Sequence, residues 1–288
     1  SGSCSRVMTP GPLVFDRALH RRRLDRAAGG FGQADFLRAR VAADLVERLE
    51  TVTRSFPVAA ELGARNGLLG RALADANAGV ATLIETDLSR AMLAGRSGLL
   101  VQADEERLPF ADGSLDLVVS ALALHTVNDL PGALVQARRA LKPDGLCLAA
   151  LFGGETLIEL RQALLDAEGE LRGGAGFRVG PMLDAADGPR LLQRAGFALP
   201  VADVDRVTVG YPHPLALLQD LRRMGETAVM TERARSPLTR GVLGRAVELY
   251  AERHGRPDGK VTATFEIVTL TGWAPQARGS GRSVAPPA

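Results

Sequence analysis

The hydrophobic positions follow two different patterns along the chain. Over residues 13–50, Leu37, Val41, Leu45 and Leu49 recur every four positions, which predicts a helical segment with one apolar face. From residue 56 onward, short apolar runs alternate with amphipathic stretches of helical periodicity. The runs predicted as strands are 56–62, 80–84, 99–102, 115–119, 146–152, 197–211 and 261–273. The stretches predicted as helices are 67–78, 129–141, 156–168, 187–195 and 214–254, the last with a break at 235–239.

This alternation predicts the fold class. Short strands that alternate with helices are typical of βαβ units, so we expect an α/β protein with a mostly parallel sheet. The two long strand candidates near the end of the chain flank a helical insertion at about 212–255. They predict an antiparallel hairpin that closes one edge of the sheet. A glycine-rich stretch at 169–180 is expected to be a mobile loop, and the tail 276–288 is expected to be disordered.

Composition excludes several classes of protein. The chain has 288 residues, of which 46% are hydrophobic and 24% charged, as in ordinary globular domains and unlike disordered, collagen-like or coiled-coil proteins. The formal net charge of +2 gives no reason to expect nucleic acid binding. No window of 18 uninterrupted apolar residues occurs, so we expect no integral membrane segment.

The cysteines indicate neither a disulfide framework nor a metal site. Cys4 and Cys147 each lack a nearby cysteine or histidine at metal-binding spacing. We therefore expect no metal, and a reducing, cytoplasmic location. A basic cluster, formed by Arg17 and residues 20–23, lies in the first helical segment. It is either a solvated helix face, or a flap over an anionic group, or a docking surface.

Glycines and acids gather where the predicted strands end. Glu61, Gly63 and Gly67 lie between the first strand and its helix, where glycine lets the backbone approach a ligand. The same pattern is also typical of a tight turn that binds nothing. Asp87, followed by Leu88, ends the second strand 87 − 67 = 20 residues after Gly67, the spacing of an acid that binds a ribose diol. Asp87 could equally cap the next helix.

The third and fourth strands end in further candidates. Asp104 and Glu105 follow the third strand, where a carboxylate can accept a hydrogen bond from the exocyclic amine of a purine. Ser120 ends the fourth strand, and His125 follows shortly after it. A histidine there could act as a general base near neutral pH. The alternative is a hydrogen-bonded histidine that only shapes a pocket.

Taken in order, these motifs resemble a known superfamily. The succession E-L-G-x-x-x-G, I-E-T-D-L-S, A-D-E-E-R-L-P-F, L-D-L-V-V-S and L-K-P-D-G is similar to class I S-adenosylmethionine-dependent methyltransferases. Within that superfamily the chain most resembles the methyltransferase-like assembly factors of respiratory complex I, over about residues 14–275. The segments that carry this resemblance are 14–17, 104–110, 124–131, 151–161, 224–226, 264–267 and 272–273.

The resemblance implies a fold, a cofactor and a biological role. It implies a Rossmann-like, seven-stranded and mostly parallel sheet with a terminal antiparallel hairpin and helical insertions. It divides the chain into an N-terminal helical segment, 13–50, and a methyltransferase domain, 51–275. It also implies S-adenosylmethionine as cofactor, with Gly63 and Gly67 at its methionine half, Asp87 at its ribose and Asp104 near its adenine. The full set of candidate cofactor-binding residues is Glu61, Gly63, Gly67, Asp87, Leu88, Asp104, Glu105 and Ser120, with His125 as the catalytic candidate.

The implied function leaves the acceptor open. Family members take part in the assembly of respiratory complex I, which includes hydroxylation of an arginine on one of its subunits. The resemblance thus implies an enzyme whose partner is a complex I subunit, in the cytoplasm or peripheral to the inner membrane. Related methyltransferases act on small quinone or biotin precursors, so the acceptor does not follow from the fold. An assembly chaperone with a degenerate cofactor pocket is a further alternative, and an NAD-dependent dehydrogenase is the weakest one.

One position departs from the superfamily pattern. The middle glycine of G-x-G-x-G is Arg65 in this chain. Its side chain could obstruct the methionine half of the cofactor, pair with the cofactor carboxylate, or point to solvent. In addition, Thr126 follows His125 where family members carry an aromatic residue.

Overall fold

The computed structural model describes residues 13–76, 78–174, 176, 178–232 and 238–276. The helices are α1 Arg17–Ala27, α2 Phe36–Glu50, α3 Leu68–Asp75, α4 Arg90–Leu93, α5 Leu130–Ala140, α6 Ile158–Arg172, α7 Gly188–Arg194, α8 Pro214–Arg223 and α9 Arg240–His254. The strands are β1 Val58–Leu62, β2 Thr82–Asp87, β3 Leu99–Gln102, β4 Leu115–Ala121, β5 Leu141–Phe152, β6 Ala198–Tyr211 and β7 Val261–Trp273. Short 3-10 turns occupy Ala28–Gln33, Leu124–Thr126 and Ala185–Asp187.

The seven strands form one sheet in the order β3-β2-β1-β4-β5-β7-β6. The first five strands are parallel to their neighbours, whereas β7 runs antiparallel to both β5 and β6. The predicted seven-stranded, mostly parallel sheet with a terminal antiparallel hairpin is therefore confirmed. The apolar residues of β1 and β4 are buried on both faces, which explains why these strands read as continuous apolar runs rather than alternating ones.

The predicted helical segment 13–50 is interrupted. Helix α1 ends at Ala27, and the 3-10 turn that follows contains Gly29, Gly30 and Gly32, whose low helix propensity favours a break there. Helix α2 then buries the apolar face predicted from the four-residue spacing. That face shares one hydrophobic core with the sheet residues Leu117 and Phe265. The segment before residue 51 thus packs directly on the sheet.

Other boundaries differ by a few residues. Helix α6 extends to Arg172, so part of the stretch predicted as a loop is helical, and the helix ends at Gly173 with a φ of +69°. Strand β5 begins at Leu141, which pairs with Leu115 ahead of an irregularity in the register. The four-residue helix α4 was not predicted. The helix predicted over 214–254 ends first at Arg223 and resumes at Arg240. Of the predicted break at 235–239 only 238–239 lie in the described part of the chain, and of the tail predicted at 276–288 only Gln276 does.

The carboxyl ends of the parallel strands meet at one edge of the sheet, as they must in a parallel arrangement. Glu61, Asp87 and Ser120 lie there, at the ends of β1, β2 and β4. In open sheets of this kind, ligands bind outside the carboxyl ends of the strands. Within the described residues, no helix is both long and apolar enough to cross a membrane.

Candidate functional site

The turn between β1 and α3 requires glycine at two positions. Gly63 and Gly67 have φ angles of +69° and +73°, in the left-handed region that glycine adopts without strain. A Cβ atom at Gly63 would overlap the Cβ of Ala123, and one at Gly67 would overlap the guanidinium of Arg96. Between them, Arg65 adopts a φ of +50°, which is uncommon for a residue other than glycine.

The Arg65 side chain points inward and binds Asp87. Its Nη1 donates to Asp87 Oδ2 at 2.8 Å, and the backbone N–H of Arg65 donates to the same oxygen at 2.8 Å. The other carboxylate oxygen, Oδ1, accepts from the backbone N–H of Ser89 at 2.7 Å. Arg65 is 1% exposed and Asp87 is fully buried. Of the three orientations open from the sequence, the solvent-facing one is thereby excluded.

A second arginine binds the acids after β3. Arg17 of helix α1 donates from Nη2 to Asp104 Oδ1 at 2.7 Å and also bonds to Glu105. Burial raises the pKa of Glu105, and the nearby guanidinium groups of Arg17 and Arg65 offset part of that effect. Arg17 thus links helix α1 to the loop after β3. It is a residue of the predicted basic cluster that reaches this edge.

A third arginine binds the acid that ends β1. Arg38 of helix α2 donates from Nη2 to Glu61 Oε1 at 2.6 Å and to the carbonyl oxygen of Gly63 at 2.8 Å, and from Nη1 to the carbonyl of Ala121. Both side chains are buried, and burial raises the pKa of Glu61 to about 7 despite the adjacent guanidinium. Glu61 therefore joins α2 to the edge of the sheet.

Two further candidates make contacts only within the protein. Leu88 is 8% exposed and packs with Leu24 of α1 and Met92 of α4. Ser120 is buried, and its hydroxyl donates to the carbonyl oxygen of Leu62 at 2.9 Å. The structure thus brings Glu61, Gly63, Asp87, Glu105 and Asp104 to one edge of the sheet, where Ser120 bonds to β1 and Leu88 packs between α1 and α4.

His125 pairs with a residue that the sequence analysis gave no role. Its Nε2 lies 2.9 Å from Glu226 Oε2, while its Nδ1 has no hydrogen-bond partner within the described chain. The imidazole packs on Phe152, with ring centroids 4.8 Å apart. Burial opposes the charge of Glu226, but His125 and then Arg65 outweigh it and hold the pKa of that carboxyl below its usual value. Glu226 lies 101 residues away, and the motif at 224–226 was the only sign of it.

His125 and Glu226 border an open cavity of about 270 Å³. Its walls are mostly apolar and come from the N-terminal segment, from α6, from α8 and its flanking loop, and from β5 and β7. The apolar lining residues include Phe15, Phe152, Leu160, Leu164, Met182, Leu221, Met230 and Phe265, and the charged ones are Arg178, Arg222 and Glu226. This cavity adjoins the carboxyl edge and can hold an acceptor.

Thr126 and His20 close one side of the site. The Oγ1 of Thr126 and the Nη1 of Arg17 lie 3.2 Å and 3.3 Å from His20 Nδ1. Burial, followed by the charges of Arg65 and Arg17, lowers the pKa of His20 well below its ordinary value. His20 is therefore neutral at physiological pH. Among the described residues, no group of three or more His, Cys, Asp or Glu side chains is placed to hold a metal ion.

Comparison with known proteins identifies the family. A model of the methyltransferase domain matches residues 60–149. The mitochondrial arginine-hydroxylase NDUFAF5 of Danio rerio is 39% identical over 272 residues, which cover 92% of this chain and 84% of the relative. The human protein of the same name is 38% identical and covers 90% of this chain and 76% of its own length. The chain belongs to the NDUFAF5 family.

More distant relatives and solved structures agree with this placement within the methyltransferases. A malonyl-[acyl-carrier protein] O-methyltransferase of Laribacter hongkongensis is 33% identical, covering 91% of both chains. The YcgJ protein of Bacillus subtilis superposes with a TM-score of 0.56 at 13% identity, covering 83% of this chain and 99% of that one. A phosphoethanolamine N-methyltransferase of Haemonchus contortus, solved with S-adenosylhomocysteine, gives 0.55 at 16% identity, covering 89% and 60%. These structures show that the fold is that of S-adenosylmethionine-dependent methyltransferases.

The residue types at the carboxyl edge, acids and glycines, fit such a cofactor in kind. Acids follow β2 and β3, and the space beside Gly63 and Gly67 is taken by the Cβ of Ala123 and by the guanidinium of Arg96. Arg65 Nη2 and Glu105 Oε1 are buried polar atoms with no hydrogen-bond partner within the described chain, which is unusual in a native interior and typical of a ligand site. For the cofactor to bind there, Arg65 must release Asp87 or share it with the cofactor.

Proposed function

We propose that this protein binds S-adenosylmethionine at the carboxyl edge of β1, β2 and β3. We further propose that it modifies an arginine side chain of a protein partner, a subunit of respiratory complex I, during assembly of that complex. The observation that carries the proposal is Glu226, a carboxylate held ionised next to His125 at the wall of a mostly apolar cavity. The relatives named arginine-hydroxylases support the choice of acceptor.

An arginine side chain matches the chemistry of the cavity. Its aliphatic stem would pack against Phe15 and Phe152, and its guanidinium would bind Glu226, because guanidinium and carboxylate form strong charge-assisted hydrogen bonds. His125 Nδ1 has no partner and would accept the proton that the guanidinium loses on modification. Glu226 is then the residue that orients both the imidazole and the acceptor.

The cofactor supplies an activated methyl group when bound, so the protein has to position the acceptor and exclude water. Phe15 and the loop that carries Thr227, Ala228 and Val229 line the cavity from the side of the N-terminal segment and would keep solvent out. Methylation requires nothing beyond that cofactor. Hydroxylation, the activity in the names of the relatives, requires in addition an oxidant that supplies the oxygen atom. The two products differ in mass and can be distinguished directly.

A second candidate function is an assembly chaperone that performs no chemistry. It is favoured by one observation: the guanidinium of Arg65 lies on Asp87, where the ribose of the cofactor would bind. In this case the acids of the carboxyl edge serve only to anchor α1 and α2 through Arg17 and Arg38.

Calorimetric titration of S-adenosylmethionine separates the two candidates. We expect the wild type to bind and Arg65→Gly to bind about tenfold more tightly, since glycine fits the positive φ and leaves Asp87 available. Arg40→Gln, on the outer surface of α2, is the matched control and should titrate as the wild type does. If neither the wild type nor Arg65→Gly binds the cofactor, the enzyme proposal is wrong and the chaperone remains.

A second measurement addresses the acceptor. We expect mass spectrometry of a complex I subunit incubated with the protein and cofactor to reveal a modified arginine, and Glu226→Gln to abolish it while cofactor binding persists. Modification of a small quinone or acyl substrate, with every subunit unchanged, would contradict the choice of a protein acceptor.

A further inference from the structure

The acceptor cavity beside His125 extends along helix α6. Leu157, where α6 begins, and Leu160 and Leu164 within the helix all line the cavity, at the spacing of one helix face. Leu157 and Leu164 are 164 − 157 = 7 residues apart, which at about 1.5 Å per residue makes this wall about 10 Å long. The cavity is therefore an elongated space along α6 and not a small pocket around Glu226 alone.

The two ends of the α6 wall carry different groups. At one end, the ring of Phe152, the last residue of β5, packs on His125, and His125 is bonded to Glu226. Further along α6, Glu168 accepts a hydrogen bond from Nε of Arg178 at 3.0 Å, and Arg178 lines the cavity. The cavity thus runs from a histidine–carboxylate pair to an arginine whose charge Glu168 already balances.

The walls between these ends are apolar. Helix α8 and the loop before α7 add apolar side chains to those of α6, and we call the region lined by Leu160, Leu164, Met182 and Leu218 the apolar compartment. All four side chains belong to the main hydrophobic core or pack against it. Among the described lining residues, Glu226 is the one acid, so the apolar compartment offers no counter-charge to a cation.

An arginine bound at Glu226 would leave the apolar compartment to water. The arginine stem is one unbranched chain, and its guanidinium stays with the carboxylate. Water against the side chains of Leu160 and Leu164 finds few hydrogen-bond partners, so a second, apolar side chain that displaces this water gains free energy. Because Glu226 and the compartment belong to one cavity, both side chains can come from one segment of the partner.

We propose that the apolar compartment binds an apolar side chain of the partner segment, two positions from the arginine that reaches Glu226. Side chains two positions apart in an extended segment lie on the same side, about 7 Å apart, which fits a wall of about 10 Å. Charge complementarity to Glu226 selects the arginine, and the apolar walls select its neighbour. The place of the arginine rests on the proposed function, whereas the preference for an apolar side chain does not.

Short labelled peptides and fluorescence anisotropy provide the test. The first peptide has a central arginine among serines, with a leucine two positions away on each side. In the second peptide alanine replaces both leucines, in the third the leucines stand directly beside the arginine, and in the fourth glutamine replaces the arginine. We expect the first peptide to bind about tenfold more tightly than the second or the third.

Leu164→Phe should remove that preference. Leu164 is 6% exposed and lines the cavity, so a phenyl ring in its place takes up the space meant for the leucine of the partner. We expect the affinity for the first peptide to fall about tenfold, to that of the second peptide, whose own affinity stays unchanged. Leu165→Phe is the matched control and should bind as the wild type does, since Leu165 is 41% exposed and lies outside the lining.

A second pair of variants on α8 repeats the test and covers the case that Leu164→Phe does not fold. Leu218 is half-buried and lines the compartment, whereas Leu215 is 42% exposed and does not line it. Leu218→Phe should weaken the first peptide, and Leu215→Phe should not. Equal effects of these two variants, or equal affinity of the first three peptides, would show a general hydrophobic attraction and overturn the proposal.

The peptides also separate this proposal from the function on which it partly rests. If the fourth peptide binds as tightly as the first, and Leu218→Phe weakens both, the compartment takes an apolar side chain and the arginine acceptor is wrong. If the first two peptides bind equally and both lose affinity in Glu226→Gln, the proposed function stands and the role of the compartment is refuted. Binding of decanoate that Leu218→Phe abolishes, without binding of any peptide, would assign the compartment to an acyl chain and refute the proposal as well.

Discussion

The carboxyl edge of the sheet and the cavity beside His125 adjoin each other, yet the protein fills one and leaves the other open. At the edge, Glu61, Asp87 and Glu105 are each bound by an arginine of the chain itself. In the cavity, about 270 Å³ remains open between mostly apolar walls. A buried charge without a partner costs several kcal/mol, whereas an apolar cavity can remain empty. The buried acids of the edge therefore need partners within the protein, whereas the apolar walls of the cavity do not.

The two regions thus present different obstacles to a ligand. The cofactor proposed for the edge would compete with Arg65 for Asp87 and with Arg17 for Asp104, so its affinity would include the cost of displacing those guanidinium groups. An acceptor in the cavity would find apolar walls and a single carboxylate, Glu226, which is bonded to His125. The following predictions test this difference, beginning with the largest expected effect.

Asp87→Asn should be strongly destabilising, because it leaves the buried guanidinium of Arg65 with only Glu105 as a counter-charge, at 3.9 Å instead of 2.8 Å. We expect a loss of about 3–5 kcal/mol in the free energy of unfolding, measured with urea. The double variant Arg65→Met/Asp87→Asn should recover much of that loss, since no uncompensated charge remains. Asp112→Asn, in an exposed pair with Arg139, is the control and should unfold at the wild-type midpoint. Equal losses of stability in Asp87→Asn and Asp112→Asn would contradict the claim that burial makes the Arg65–Asp87 pair necessary.

Glu61→Gln should change how stability depends on pH. The folded pKa of Glu61, about 7, lies above the value of about 4.3 for an unfolded chain, so the folded protein holds the proton more tightly. The stability from this group is fully present below about pH 4 and is lost as the pH rises towards about 7. Glutamine does not titrate, so the variant should lose less stability over that interval, by at most about 4 kcal/mol. Parallel pH profiles for the two proteins would refute the prediction.

Met182→Trp should block the cavity beside His125 without affecting the carboxyl edge of the sheet. Met182 lines the acceptor cavity and is half-buried, so a larger side chain can occupy the empty volume. We expect the affinity for a short labelled peptide that contains one arginine to fall about tenfold, equivalent to about 1.4 kcal/mol, with cofactor binding unchanged. Leu171→Trp, an exposed position on α6, is the matched control. If Met182→Trp weakened cofactor and peptide alike, the two regions would not be independent.

The sequence predicted the open sheet better than it predicted these two regions. Apolar runs located the seven strands along the chain, because burial on both faces leaves a continuous apolar pattern. It also placed Glu61, Asp87, Asp104 and Glu105 at strand ends, where the structure has them. Their roles towards a cofactor remain predictions. Spacing could not reveal that Arg17, Arg38 and Arg65 fold back onto those acids, since each pair joins residues 22 to 88 positions apart. Glu226 was missed as a partner of His125 for the same reason.

Arg38 and Arg40 provide the smallest and most local test of the comparison, because they lie two positions apart on α2. Arg38 is 3% exposed and binds Glu61, whereas the Arg40 side chain is 57% exposed and pairs with Asp205 at 2.9 Å. We expect Arg40→Gln to leave urea unfolding unchanged within experimental error, because water and salt screen an exposed pair. Any small change should disappear at high salt. Arg38→Gln should be clearly destabilising at both salt concentrations, since neither water nor salt reaches the buried carboxylate of Glu61. Equal effects of the two variants would mean that burial does not decide which guanidinium groups hold the edge together.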